Sequence, residues 1–320
     1  MSFSGEVKEE LFSQTGRARH CQIAELAAFI RMCGRVTVSA HDHFSIQIHT
    51  ENAWVAKKYA FLLKKIFRVE PDVSVQIHPR VSRPVSYQVL VLRHQEALRV
   101  LQAVRLLKRD GSLEEEVPLA HSVILQNHCC KRAYVRGAFL AAGSVSDPNR
   151  SYHFEIACVS EYEAVQLKDL IRELEVDAKI VKRKKYYVVY VKEGAQISDL
   201  LGLMEARKSL LKLENIRIIR EMRGSVNRKV NCETANINKT VHAAVKQMED
   251  IRYIRDTAGL SGLSNGLDEM ARIRLQYPEA TLKELGMMLD PPVGKSGVNH
   301  RLRKLSAIAD ALRSKEEELL

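Results

Sequence analysis

The sequence predicts an α+β fold in two parts. A duplicated domain runs helix, two strands, helix, two strands (αββαββ) twice about a pseudo-two-fold axis, and an all-α helix-turn-helix domain follows at the C-terminus. Three observations predict it. The same order of periodic segments recurs at a distance of roughly 110 residues through the first two-thirds of the chain. Between the helical segments, apolar residues alternate at strand spacing. Near the C-terminus, two amphipathic helical patterns flank Asp290-Pro291-Pro292-Val293-Gly294, a stretch that cannot continue a helix.

In the first copy, residues 23–34 read as a helix, 36–38 and 44–48 as a strand pair, 51–67 as a second helix, and 73–77 with 86–91 as a second pair. In the second copy the corresponding elements are a helix over 132–143, a strand over 152–158, a helix over 161–174, and strands over 178–181 and 186–191. Ala24 and Ala28 in one leading helix, and Ala133, Gly137 and Ala141 in the other, recur at i, i+4, so each helix carries a smooth ridge. Two such ridges predict helices that cross closely at the axis, each ending at its Gly34 or Gly143 as a C-cap or tight exit. With an N-terminal helix, the first half takes residues 1–110 and the second 111–213. Helical signal over 197–213 leads into a helical linker at 214–262, whose Asn-rich part, 225–240, reads either as a solvated connector or as a DNA-facing or domain-docking segment.

Residues 263–320 form the terminal domain, with a first helix over 267–277 stopped by Pro278. Thr281 and Glu284 form a capping box, and Leu282, Leu285 and Leu289 line one face of the helix it opens. The second helix of the motif buries Val298, Leu302 and Leu305 and leaves a basic, acid-free first half for other faces. Double-stranded DNA is the partner this motif predicts, with Thr281, Lys295, Ser296, Gly297, Asn299, His300, Arg301, Arg303 and Lys304 as candidate contacts. Asn299 and Arg303, one turn apart, suit base edges; Arg301 and Lys304 suit phosphates.

The 320 residues carry 50 Lys and Arg against 39 Asp and Glu, a formal charge of +11 that favours polyanionic partners. Residues 294–304 hold four cationic side chains and no acid, and residues 217–231 hold five against Glu221. Asn227, Arg228 and Asn231 are therefore further candidate contacts. So are Lys182, Arg183, Lys184 and Lys185 at the tip of a predicted hairpin, where solubility or edge protection is an equal reading. The matching turn of the first copy, residues 78–84, is also basic.

Six scattered cysteines argue for reduced thiols and against a disulfide framework or CxxC zinc pattern. Neither His41-Asp42-His43 nor His128 with Cys129 and Cys130 supplies four ligands at finger-like spacing, so no metal and no cofactor is expected. Gly294-Lys295-Ser296 lacks the upstream glycine and strand of a P-loop. The charged N-terminus and the absence of a long apolar run predict no membrane association and a cytoplasmic, nucleoid-associated protein.

The duplicated pattern resembles the LAGLIDADG homing-endonuclease fold, whose paired central helices deliver metal-binding acids at their C-terminal ends. Aligning the terminal glycines puts Cys33 and Ala142 at those acid positions. Neither offers an oxygen ligand for Mg²⁺, so the resemblance implies a fold without the nuclease chemistry. Asp147 reads as a turn residue, not a substitute. The runs 129–141, Asn227-Arg228, 231–236 and 295–304 together resemble the WhiA family over nearly the whole chain. That resemblance implies a bacterial regulator that joins a degenerate LAGLIDADG domain to a sigma-factor-like helix-turn-helix. It implies transcriptional regulation in sporulation, cell division or chromosome segregation. A third reading makes the duplicated domain a docking module for another transcription or division protein, with only the helix-turn-helix on DNA. The rival expectation is an active LAGLIDADG endonuclease or intron maturase.

Overall fold

The structure, a computed structural model, describes residues 2–39, 43–77, 85–107, 112–113, 119 and 122–317. Two compact units divide it, Met1–Glu221 and Met222–Leu320.

The first unit opens with α1 (Phe3–Ser13) and then repeats one topology. The first copy is α2 (Arg19–Cys33), β1 (Gly34–Val38), β2 (Phe44–Thr50), α3 (Ala53–Phe67), β3 (Asp72–Ile77), β4 (Val85–Val91) and α4 (His94–Ala103). The second is α5 (His128–Ala142), β5 (Gly143–Val145), β6 (Phe154–Cys158), α6 (Glu161–Arg172), β7 (Lys179–Arg183), β8 (Tyr186–Val191) and α7 (Gly194–Leu203). Both sheets are antiparallel, ordered β1-β2-β4-β3 and β5-β6-β8-β7. The pairs Ile46 with Val91 and Ile48 with Val89 recur as Phe154 with Val191 and Ile156 with Val189, all buried.

The repeat is longer than the αββαββ pattern, because each copy closes with one more helix and the same left-handed exit. Arg105 (φ 56°) ends α4, with its amide on Gln102 O and the Leu106 amide on Leu101 O. Glu205 (φ 71°) ends α7, with its amide on Gly202 O and the Ala206 amide on Leu201 O. This exit corrects the single helical signal over 197–213: the chain breaks at Glu205 and α8 (Arg207–Thr257) begins afresh. Neither Gly nor Pro marks the break, so apolar periodicity runs through it.

The close crossing of α2 and α5 follows from their small residues. A Cβ on Gly137 would lie 2.5 Å from Glu25 O and 2.9 Å from the Ala28 Cβ, so the backbones approach where only glycine fits. Gly34 and Gly143 are extended (φ −86° and −93°), not left-handed. A Cβ there would stand 2.4 Å from Ile30 O and from Phe139 Cδ2 respectively, so these glycines serve a tight exit straight into β1 and β5. Gly137→Ala is expected to lower the stability of this unit by about 1–3 kcal/mol through overpacking. Denaturation followed by the fluorescence of the single Trp54, in α3, measures it, and an unchanged midpoint would show that the helices part without cost.

Between those helices lies a buried charge cluster that apolar patterning does not reveal. Glu25 and Lys58 are both fully buried 3.4 Å apart, and Arg136 reaches Glu25 at 3.0 Å and Glu205 at 3.3 Å. The Lys58 ammonium also donates to the carbonyls of Leu11, Phe12 and Gln14, closing the C-terminal end of α1.

In the second unit, Ile251 and Ile254 of α8 pack with α9 (Asn265–Gln276), α10 (Leu282–Met287) and α11 (Lys295–Glu317) around Met270, Leu285, Leu289, Val298, Leu302 and Leu305. The Asn-rich stretch 225–240 is helical throughout, inside the 51-residue α8. Its side chains are exposed, the apolar Val226, Val230 and Ile237 among them.

Candidate nucleic-acid interface

Thr281 caps α10 in a reciprocal box: its Oγ1 accepts the Glu284 amide at 3.4 Å, and Glu284 Oε2 accepts the Thr281 amide at 2.7 Å. Those bonds hold the Glu284 carboxyl below its ordinary range. The capping box uses the Thr281 hydroxyl oxygen as an acceptor and leaves its O–H proton to donate. The turn is closed by a contact that the sequence reading missed. The Val293 amide donates to Gly286 O at 2.8 Å, and a Cβ on Gly286 would stand 2.1 Å from Val293 O. From the other helix, a Cβ on Gly297 would meet Val293 Cγ1 at 2.3 Å. One glycine on each helix therefore admits Val293 between them, which fixes α11 against α10. Gly294 has open space around it, so Gly286 and Gly297 carry the steric requirement.

That packing turns Val298, Leu302 and Leu305 inward and leaves Lys295, Ser296, His300, Arg303 and Lys304 exposed, with Asn299 half-buried. Ser296, Asn299, His300 and Arg303 share one stripe at helical spacing. No acidic residue occurs from Pro291 to Ala309. Arg301 is different: its Nη1 donates to Gly266 O at 3.3 Å, which holds the half-buried side chain against α9.

Asn227, Arg228 and Asn231 are exposed on α8. The basic run of the second hairpin does not form one patch. Arg183 pairs with Glu155 at 2.8 Å, Lys182 lies over the Tyr187 ring at 5.2 Å, and Lys185 lies over Tyr186 at 5.3 Å. Neighbouring residues of a strand point to opposite faces, so Lys182 and Arg183 serve different surfaces. Lys184 is the turn residue with φ 54°. Residues 78–84, the corresponding turn of the first copy, and His41 and Asp42 lie outside the described residues.

At the C-terminal ends of α2 and α5 stand Cys33 and Ala142. The Cys33 thiol donates to Phe29 O at 3.3 Å, and burial pushes its pKa up to about 12, against a weaker opposing pull from Lys8. α1 brings Lys8 to this pole, its ammonium 5.8 Å from the Phe139 ring centroid. A cavity of about 610 Å³ there is lined by Lys8, His49, Glu51, Asn52, Ala142 and Ser144 among others. Neither helix end contributes a carboxylate, the hard oxygen ligand that Mg²⁺ chemistry needs. Cys129 and Cys130, read from sequence beside His128, face His20 and Cys21 instead.

Three family models match consecutive parts of the chain: the WhiA N-terminal LAGLIDADG-like domain over 19–107, the WhiA LAGLIDADG-like domain over 131–223, and the WhiA C-terminal HTH domain over 226–309. A protein of Lachnoclostridium phytofermentans named probable cell division protein WhiA is 51% identical over 313 residues, covering 98% of this chain and 100% of its own. Its namesake in Alkaliphilus oremlandii is 49% identical over 316 residues, 98% of each chain. The crystal structure of full-length DUF199/WhiA from Thermatoga maritima shares the fold, with a TM-score of 0.58 at 23% identity over 97% of this chain and 99% of that one. No helix among the described residues is long and apolar enough to cross a membrane. The chain belongs to the WhiA family.

Proposed function

We propose that this chain is a DNA-binding regulator of transcription without catalytic activity of its own, acting in cell division, chromosome segregation or sporulation from a cytoplasmic, nucleoid-associated location. The observation that carries the reading is the exposed, acid-free stripe of α11, Ser296, Asn299, His300 and Arg303, flanked by Lys295 and Lys304 and braced by α10. An α-helix fits the major groove, where Asn matches adenine and Arg matches guanine, while the flanking lysines meet phosphates. The names of the relatives support the cell-division setting. Asn227, Arg228 and Asn231, exposed on α8, are further candidate contacts, and Lys182, Arg183, Lys184 and Lys185 add weaker, divided phosphate contacts.

The alternative, an active LAGLIDADG nuclease or intron maturase, needs acids where Cys33 and Ala142 stand. Incubating the full chain with Mg²⁺ and supercoiled plasmids carrying genomic fragments, then footprinting the same fragments, tests both parts. Intact DNA with a protected site is expected. Site-specific cleavage would overturn the non-catalytic part, and absence of any protected site would overturn the regulator.

A further inference from the structure

At the N-terminal ends of α2 and α5, His20, Cys21, Cys129 and Cys130 bring one imidazole and three thiols together, their ligand atoms all within 4.8 Å of one another. An offset of 109 residues carries His20 onto Cys129, Cys21 onto Cys130 and Gly34 onto Gly143. The four are therefore two symmetry-related pairs meeting at the pseudo-two-fold axis, at the pole opposite Cys33 and Ala142. His20 aims Nδ1 into the group, 3.0 Å from Cys130 Sγ and 3.4 Å from Cys21 Sγ. Cys21 and Cys130 form its buried floor, and His20 and Cys129 its exposed outer edge, which leaves a route of entry.

We propose that this cluster is a Cys3His zinc site that clamps the two halves of the duplicated domain together. In a tetrahedral site with Zn–S near 2.3 Å and Zn–N near 2.0 Å, ligand atoms stand about 3.5–3.8 Å apart, so closure needs shifts of about 1 Å or less. Three thiolates and an imidazole, with no oxygen ligand, select zinc over Mg²⁺ or Ca²⁺. On binding, the three thiols lose their protons to solvent and the sulfurs coordinate the metal, leaving the centre with one net negative charge. The surroundings suit that charge. Both helices present their positive N-terminal ends to the cluster, which favours thiolate. The buried Arg136 guanidinium lies close by: a Cβ built on Gly16 would stand 3.1 Å from Cys21 Cβ and 3.8 Å from Arg136 Nη2. Its Nε has no hydrogen-bond partner among the described residues.

The test uses the untagged full-length chain, purified reduced and without chelator. Elemental analysis is expected to find about one zinc per chain, the stoichiometry of a single closed site. Stripped protein given Co²⁺ alone should develop a thiolate-to-cobalt charge-transfer band and tetrahedral d–d bands. Cys129→Ser, at an exposed position, should weaken the charge-transfer band and lose zinc on dialysis, and Cys21→Ser with Cys130→Ser should abolish binding. Cys232→Ser, at an exposed cysteine outside the cluster, should retain full metal. Failure of the reduced wild type to take up metal overturns the site. So does a cobalt spectrum without thiolate charge transfer, zinc retained by Cys129→Ser, iron with acid-labile sulfide in place of zinc, or a disulfide among the three thiols in freshly isolated protein. Should the buried double variant fail to fold, Cys129→Ser and the cobalt spectrum still decide.

Discussion

Glu25→Ala is expected to lower the stability of the first unit by about 3–5 kcal/mol, because it strips the counter-charge from two buried cations. Glu25 is fully buried between Lys58 at 3.4 Å and Arg136 at 3.0 Å. Arg136 retains Glu205 at 3.3 Å, a partner that is partly exposed. Lys58 has no such reserve: burial already pulls its pKa down and Glu25 is what raises it. Its Nζ shares its three N–H donors among the carbonyls of Leu11, Phe12 and Gln14 and the Thr15 hydroxyl, all within 3.2 Å, so the ammonium also anchors α1. Loss of Glu25 leaves Lys58 to deprotonate or draw in water, and α1 loosens with it. Trp54 fluorescence reads this unit selectively, since it is the only tryptophan and its ring lies 5.1 Å from Phe12. Glu25→Gln should fall between wild type and Glu25→Ala, and Lys58→Met added to Glu25→Ala should recover part of the loss. A loss under about 1 kcal/mol for Glu25→Ala would show that water already screens the cluster.

What sequence could and could not reveal follows the range of each interaction. The capping box of Thr281 and Glu284 is local, and its bonds form as the spacing predicts. The ridges of Ala24, Ala28, Ala133 and Gly137 are legible as periodicity, and their partner is inferable because the pattern repeats. The exits at Arg68, Arg105, Glu175 and Glu205 are not legible, because four non-glycine residues adopt positive φ there without a composition signal. Glu25 and Arg136 look like ordinary polar positions on amphipathic helices, and only the crossing turns them inward. Gly286 and Gly297 look like helix weakeners, until Val293 is found between them. The cysteine cluster lies beyond spacing rules altogether. Its two pairs are separated by about a third of the chain, and the duplication axis, not a local motif, brings them together.

Arg303→Ala is expected to cost about 1–3 kcal/mol of specific DNA affinity and to relax base preference at one position of the site. Asn299→Ala should do the same at a neighbouring position, one turn along the helix. Lys304→Ala should instead weaken all sequences alike and flatten the slope of log affinity against log salt by about one, since a phosphate contact releases one counterion. The structure supplies a control. Arg303 and Lys304 are exposed on α11, so their removal should leave the melting of the second unit unchanged. Arg301→Ala should lower that melting, because its guanidinium is held on the Gly266 carbonyl. Titrations of matched and scrambled duplexes across salt separate the three behaviours. Unchanged affinity in both Arg303→Ala and Lys304→Ala would remove α11 from the DNA. With Arg301 held on Gly266 O, the three exposed cations Lys295, Arg303 and Lys304 supply only a modest, salt-sensitive share of binding by themselves. A measured salt slope exceeding those three would therefore point to additional phosphate contacts outside α11.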